Sequence, residues 1–175
     1  MEVYFIVDSI TPSCLEQWSV LEQMKQQNPQ LKVNCFVIAN KGFGENVAED
    51  ANFCKWFESN RDWIQLGVHG YDQSIELKSE VERDSWELKR CLTQSLRILS
   101  PFLPSKKGYR PPDFQSSIHL KRLLQELKFD FITHEGRIQS LTDSPIRQFH
   151  LINTSLCNIQ LIAFNSDTQF RFIGE

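Results

Sequence analysis

Four residues spread along this chain are of types that do chemistry together: Asp8, His69, Arg110 and His134. A carboxylate can take a proton from water, an imidazole can exchange one near neutral pH or ligate a metal, and a guanidinium can grip a carboxylate. Each of the four stands at the end of a stretch that reads as a strand: Val3 to Val7, Ile64 to Val68, Lys107 to Arg110 and Phe129 to Thr133. The stretch 107–113, Lys-Gly-Tyr-Arg-Pro-Pro-Asp, is the stiffest of these. Pro111 and Pro112 restrict their own φ, and Pro111 pushes Arg110 away from helical geometry, so the arginine is aimed by its backbone.

The elements that must position these residues follow from periodicity. Val3 to Val7 is a continuous apolar run, the pattern of a strand buried on both faces, with Asp8 at its end. Thr11-Pro12 predicts an N-cap and first helical position, opening a helix with Leu15, Trp18, Leu21 and Met24 inward, which stops before Asn28-Pro29. Val33 to Ala39 predicts a second strand and Ile64 to Val68 a third. Between them, Asn46 with Glu49 predicts a capping box for a helix through Phe53, Trp56 and Phe57. Asp84 and Glu87 predict another box, opening an amphipathic helix with Leu88, Cys91, Leu92, Leu96 and Leu99 on one face. Lys107 to Arg110 reads as a short fourth strand, Ser116 or Ser117 as the cap of a helix carrying Leu120, Leu123, Leu124 and Leu127, and Phe129 to Thr133 as a fifth strand. The lone G-x-G of Gly42 and Gly44 reads as turn chemistry. Gly136 to Pro145 reads as a polar loop, and Ile146 to Ile152, Asn158 to Phe164 and Phe170 to Ile173 as three further strands.

Regular strand–helix alternation implies a parallel sheet with helices packed outside. About seven largely parallel strands in a chain of 175 residues fit a distorted, incomplete (β/α) barrel rather than a full eightfold one, which takes about 250 residues. Length favours one domain over 1–175. In such folds all strand C-termini open on one face, so Asp8, His69, Arg110 and His134 are expected at a common rim. His119, in a polar Lys-rich helical stretch, reads as solvated. His150, inside an apolar run, reads as a buried structural histidine.

Composition narrows the partners. With 41% hydrophobic and 23% charged residues the chain is an ordinary globular one. A net charge of −3 without a basic run argues against nucleic acid, and no apolar run has the length of a membrane span. The N-terminus has no signal-peptide pattern, which points to a cytoplasmic chain. The five cysteines, Cys14, Cys35, Cys54, Cys91 and Cys157, form no C-x-x-C pair and read as reduced core thiols.

The motifs, in order, resemble the polysaccharide deacetylases, carbohydrate esterase family 4. Val7-Asp8-Ser9 with Ile10-Thr11-Pro12 resembles the family's apolar strand followed by Asp-Asp. His69-Gly70-Tyr71-Asp72-Gln73 resembles its His-Gly-Tyr-x-His, Tyr109-Arg110-Pro111-Pro112 its Arg-x-Pro segment, and Ile146 to His150 its apolar strand ending in histidine. The resemblance implies an incomplete barrel that removes acetyl groups from N-acetylated sugars or polysaccharides with a divalent metal, zinc or similar. It implies Asp8 as general base, Arg110 as its partner, His150 or His134 as proton donor to the leaving amine, and His69 with Asp8 at the metal. Tyr71, Asp72, Pro111 and Pro112 would line the substrate path, and the loops 40–47, 70–83 and 135–145 would set specificity.

Two positions depart from the family pattern. Ser9 stands where the second aspartate is expected and Gln73 where the second histidine is. Neutral oxygens are poor replacements for carboxylate and imidazole in a zinc site, which takes about three strong ligands. Two readings follow: a metal-assisted hydrolase of N-acetylated sugars, or a degenerate deacetylase-like domain that binds a glycan or protein partner, with Tyr71, Phe114 and Trp63 as stacking surfaces. A third, phosphoryl transfer at Asp8-Ser9-Ile10-Thr11, lacks the second acidic residue that would help hold magnesium.

Overall fold

The computed structural model describes residues 2–42, 45–72, 84–114, 116–134, 136–142, 150–155, 160, 164 and 167–173, without the side chains of Glu2, Leu15, Glu16, Asp113, His150 and Ser155. The strands are β1 (Glu2–Ile10), β2 (Val33–Val37), β3 (Ile64–Val68), β4 (Gly108–Tyr109), β5 (Phe131–Thr133), β6 (Ile138–Ser140), β7 (His150–Ser155) and β8 (Gln169–Phe170). The helices are α1 (Leu15–Gln27), α2 (Ala51–Asn60), α3 (Ser85–Leu99) and α4 (Ile118–Glu126). The sheet runs β6-β5-β4-β3-β2-β1-β7, and β8 also pairs with β1. Every pairing is parallel except β5 with β6. This is an incomplete (β/α) barrel, a curled sheet of mostly parallel strands with helices.

The two faces of the sheet differ because side chains alternate along each strand. Val3, Phe5 and Val7 of β1, Val33, Cys35 and Val37 of β2, and Ile64, Leu66 and Val68 of β3 join the main core with the helices. There Trp18 of α1 stacks on Trp56 of α2 at 4.8 Å, and Phe53 meets Trp18 edge-on. On the opposite face Tyr4, Ile6, Phe36 and Phe131 form a smaller cluster with Ile173. Two glycines make room for its rings. A Cβ at Gly67 would stand 2.6 Å from Phe36, and one at Gly108 would run into Phe131.

Asn34 ties the end of the described chain to the sheet. Its amide donates to the carbonyls of Phe5 and Arg171, both at 3.2 Å, and its carbonyl oxygen accepts from the N–H of Ile173 at 2.8 Å. Gln65 donates to the carbonyl of Ile173 at 3.1 Å. Four backbone groups from distant segments are thereby satisfied inside the fold.

Several local expectations are corrected. β1 does not end at Asp8 but continues to Ile10 past an irregularity between Val7 and Ile10, where Ser9 has φ +59°. Pro12–Cys14 form a 3₁₀ turn before α1, so Thr11 caps that turn, accepting from the N–H of Cys14 at 3.2 Å. Asn46 and Glu49 do pair, at 2.8 Å, but close a turn. The cap of α2 is Asp50, which accepts from Phe53 N–H at 2.7 Å. Residues 136–145 hold a strand, β6, which Arg137 anchors by accepting the N–H of His134 at 2.8 Å. His150 lies in β7, which runs on to Ser155, so no strand closes at it; residues 146–149 of the expected strand lie outside the described residues. The strand expected over 158–164 lies largely outside the described residues. Cys14, Cys35 and Cys91 are buried free thiols, as read from the sequence, and burial raises the pKa of Cys35; Cys54 is corrected to a half-buried free thiol, and Cys157 lies outside the described residues.

Candidate functional site

The C-terminal ends of β1, β3, β4 and β5 deliver Asp8, His69, Arg110 and His134 to one rim. All four are buried, with 6, 4, 1 and 8% of their surfaces exposed. Asp8 and Arg110, 102 residues apart in sequence, form an ion pair in which Nε donates to Oδ2 at 2.7 Å. Arg110 Nη1 also donates to Thr133 Oγ1 and to the carbonyl of His134, each at 3.4 Å. One face of the guanidinium lies 4.6 Å from the centre of the Phe114 ring. A buried guanidinium needs such a set, because its donors lose water on burial.

The backbone places this arginine as its prolines require. The N–H of Arg110 donates to the carbonyl of Val68 at 2.9 Å, after which Pro111 and the 3₁₀ turn Pro112–Phe114 lead the chain away. The carbonyl of Arg110 faces His69, whose Nδ1 lies 2.8 Å away. A carbonyl only accepts, so the proton of the neutral ring is on Nδ1 and the lone pair on Nε2. That Nε2 lies 3.4 Å from Ser9 Oγ, which is also 3.4 Å from Asp8 Oδ1.

His134 is the outer member. Its Nδ1 donates to the carbonyl of Phe114 at 3.4 Å, and its Nε2 is buried without a hydrogen-bond partner among the described residues. Burial pushes its pKa below the ordinary histidine value. The Phe114 carbonyl opposes that shift, and the positive charges of Arg137, Lys121 and Arg110 add to it. A ring that resists protonation is poorly suited to give a proton to a leaving amine.

The remaining expected site residues divide. Tyr71 and Asp72 are half-buried just past His69, and Tyr71 Oη accepts from Asn40 at 3.0 Å. Pro111 is buried and Pro112 half-buried beside Arg110. His150 is corrected: it stands opposite Val3, at the other end of β1, while Ser155 is the residue level with Asp8. Five residues of strand, about 16 Å, separate its backbone from the rim. Trp63 is corrected as a stacking surface too. It is buried before β3, with its Nε1 donating to Asn60 at 3.0 Å. His119 is exposed on α4, in keeping with its sequence context. Gln73 lies outside the described residues.

Sequence reasoning missed Thr133 as a partner of Arg110 and Ser9 as a partner of His69. The first has no local signal. The second could have been found by asking where a residue next to Asp8 points once the strand bulges.

Metal coordination is the chemistry the resemblance implies, and His69 is prepared for it: a backbone carbonyl on Nδ1 is how metal-binding imidazoles are commonly oriented. The other donors do not fit. One oxygen of Asp8 is committed to Arg110, and Ser9 brings a neutral hydroxyl. Among the described residues no three His, Cys, Asp or Glu side chains gather as a metal would require.

The incomplete barrel of mostly parallel strands is a deacetylase-like fold. Solved structures agree on the fold. The chain superimposes on a family 4 carbohydrate esterase from Streptomyces lividans, solved with acetate, with a TM-score of 0.53 and 12% identity over 73% of this chain. It superimposes on a peptidoglycan N-acetylglucosamine deacetylase with a TM-score of 0.54 and 18% identity over 75% of this chain. The matches span 59% and 55% of those two chains, less than two thirds of either. No protein-family model matches the sequence, and no curated protein does.

Proposed function

We propose that this chain is a carbohydrate-directed protein of the deacetylase fold that receives an N-acetylated sugar at the Asp8–His69–Arg110 rim. The observation that carries the reading is the convergence of those three side chains from separate strands at one strand-end face. The order of the motifs, together with the fold, points to the acetamido group as what they meet. Phe114 supports the same reading, since it is an exposed aromatic ring backed by Arg110 on one face. Aromatic faces of this kind suit the C–H face of a pyranose.

Hydrolysis by a metal-held water is the second reading. The orientation of His69 favours it, and the donor set at Ser9 disfavours it. Metal analysis after zinc or cobalt loading separates the two: stoichiometric metal with metal-dependent release of acetate supports the second.

Calorimetric titration with short chitin oligomers tests the first. Saturable binding, weakened about tenfold, or 1.4 kcal/mol, by Phe114→Ala, is the expected result. Absence of binding in the folded wild-type protein would sink the reading. The single domain over 1–175 and the cytoplasmic location remain proposals of the same kind. Among the described residues no helix is long and apolar enough to cross a membrane.

A further inference from the structure

Ser9, the residue that breaks the metal-ligand pattern, is held unlike any ordinary strand serine. Its φ of +59° is left-handed, a conformation that is strained for a non-glycine residue and persists where the surroundings impose it. It sits on the irregular stretch between Val7 and Ile10 and is half-exposed, while Asp8 beside it is buried. Serine nucleophiles of α/β hydrolases stand on strained turns at strand ends for the same reason: the turn lifts Oγ out of the sheet toward the ligand. Ser9 Oγ is 3.4 Å from Nε2 of His69, and the Nδ1–H of that ring is taken by the Arg110 carbonyl at 2.8 Å. The lone pair of the imidazole is therefore on the nitrogen that faces the hydroxyl.

We propose that Ser9 and His69 form a nucleophile–base pair for acyl transfer, occupying the place of the metal-held water. The inference rests on the preceding reading that an acetylated sugar reaches this rim. Nε2 of His69 takes the Ser9 proton as Oγ bonds to the acetyl carbon. The C–N bond then breaks as the imidazolium returns that proton to the departing amine, leaving acetyl-Ser9. Water, giving one proton to the same nitrogen, attacks the ester, and acetic acid leaves as Oγ recovers that proton, then ionises to acetate in solvent. No redox change or further reactant is required. Ser9 Oγ also donates to Asp8 Oδ1 at 3.4 Å, which holds the hydroxyl between the carboxylate and the imidazole. Arg110 orients the base through its carbonyl and is a positioning residue. Apo contacts of 3.4 Å are longer than a working hydrogen bond, and contacts of this kind shorten when substrate seats.

The test uses para-nitrophenyl acetate as an activated acyl donor, with EDTA present, and intact-mass analysis followed by peptide mapping. The expected result is one acetyl group per chain, mapped to Ser9. Ser9→Gly, which tolerates the left-handed backbone, is expected to fold and to take no acetyl group there. His69→Gln is expected to slow acylation about a hundredfold or more, and Ser9→Cys to retain it. Acetylation elsewhere with Ser9 unmodified, an unchanged rate in folded His69→Gln, or turnover that requires added zinc would each overturn the proposal. Chitin-oligomer binding distinguishes the two readings. Sugar binding without acylation of Ser9 defeats only the dyad, whereas acylation of Ser9 without sugar binding defeats only the carbohydrate reading.

Discussion

Arg110 is the largest fully buried side chain among the described residues, and its position is set by a carboxylate 102 residues away. Breaking a buried pair strands the surviving charge, so Asp8→Asn is expected to lower stability by about 3–5 kcal/mol. An apolar double replacement, Asp8→Leu with Arg110→Met, is expected to recover most of that loss. Urea unfolding of the two single variants and the double one checks both outcomes, and strict additivity would contradict them. His134 gives a pH dependence. The unfolded chain carries an ordinary histidine of pKa 6.5, while the folded protein resists protonating this one. As pH falls below about 6.5 the unfolded state binds the proton first and stability declines, until the folded ring titrates as well. Above that value His134 contributes no slope. Urea midpoints at about pH 7.5 and about pH 5.5 should differ in wild type, and less in His134→Gln.

Among the elements, α3 was fully legible because its periodicity and its cap agree: Asp84 accepts from Glu87 N–H at 2.8 Å, at the predicted position. Asp84→Ala is expected to cost about 1 kcal/mol. Asn46→Ala, which removes a turn contact and not a helix cap, is expected to cost less, and thermal melts of both variants check the order. β3 was also legible, its bounds coinciding with the apolar run 64–68. β6 was not, because Ile138-Gln139-Ser140 holds one apolar residue and becomes a strand only by pairing with β5. The Asn46–Glu49 pattern misled because the same two side chains satisfy a turn as readily as a helix end. β1 read correctly to Val7, but the irregularity beyond it answers to the register with β2.

Across the whole molecule, Cys35 reports on cooperativity. It is fully buried in β2 between β1 and β3, and its thiol is held protonated by burial. A thiol reagent is expected to reach it only at the rate of global opening, so Asn34→Leu, which unties the segment at Arg171 and Ile173, should hasten its labelling. Labelling of Cys35 at the rate seen for an exposed thiol in the intact protein would contradict this packing. The sequence by itself determined the strand–helix alternation, the buried central strands, and the four polar residues that stand at strand ends. Those follow from periodicity and chain stiffness, which are local. Only the tertiary structure decided that Thr133 and the carbonyl of His134 complete the partners of Arg110, that His150 pairs with Val3 away from the rim, and that Ser9 turns toward His69. Register, bulges and partners across a hundred residues are settled by packing between strands, and no local window of sequence contains that information.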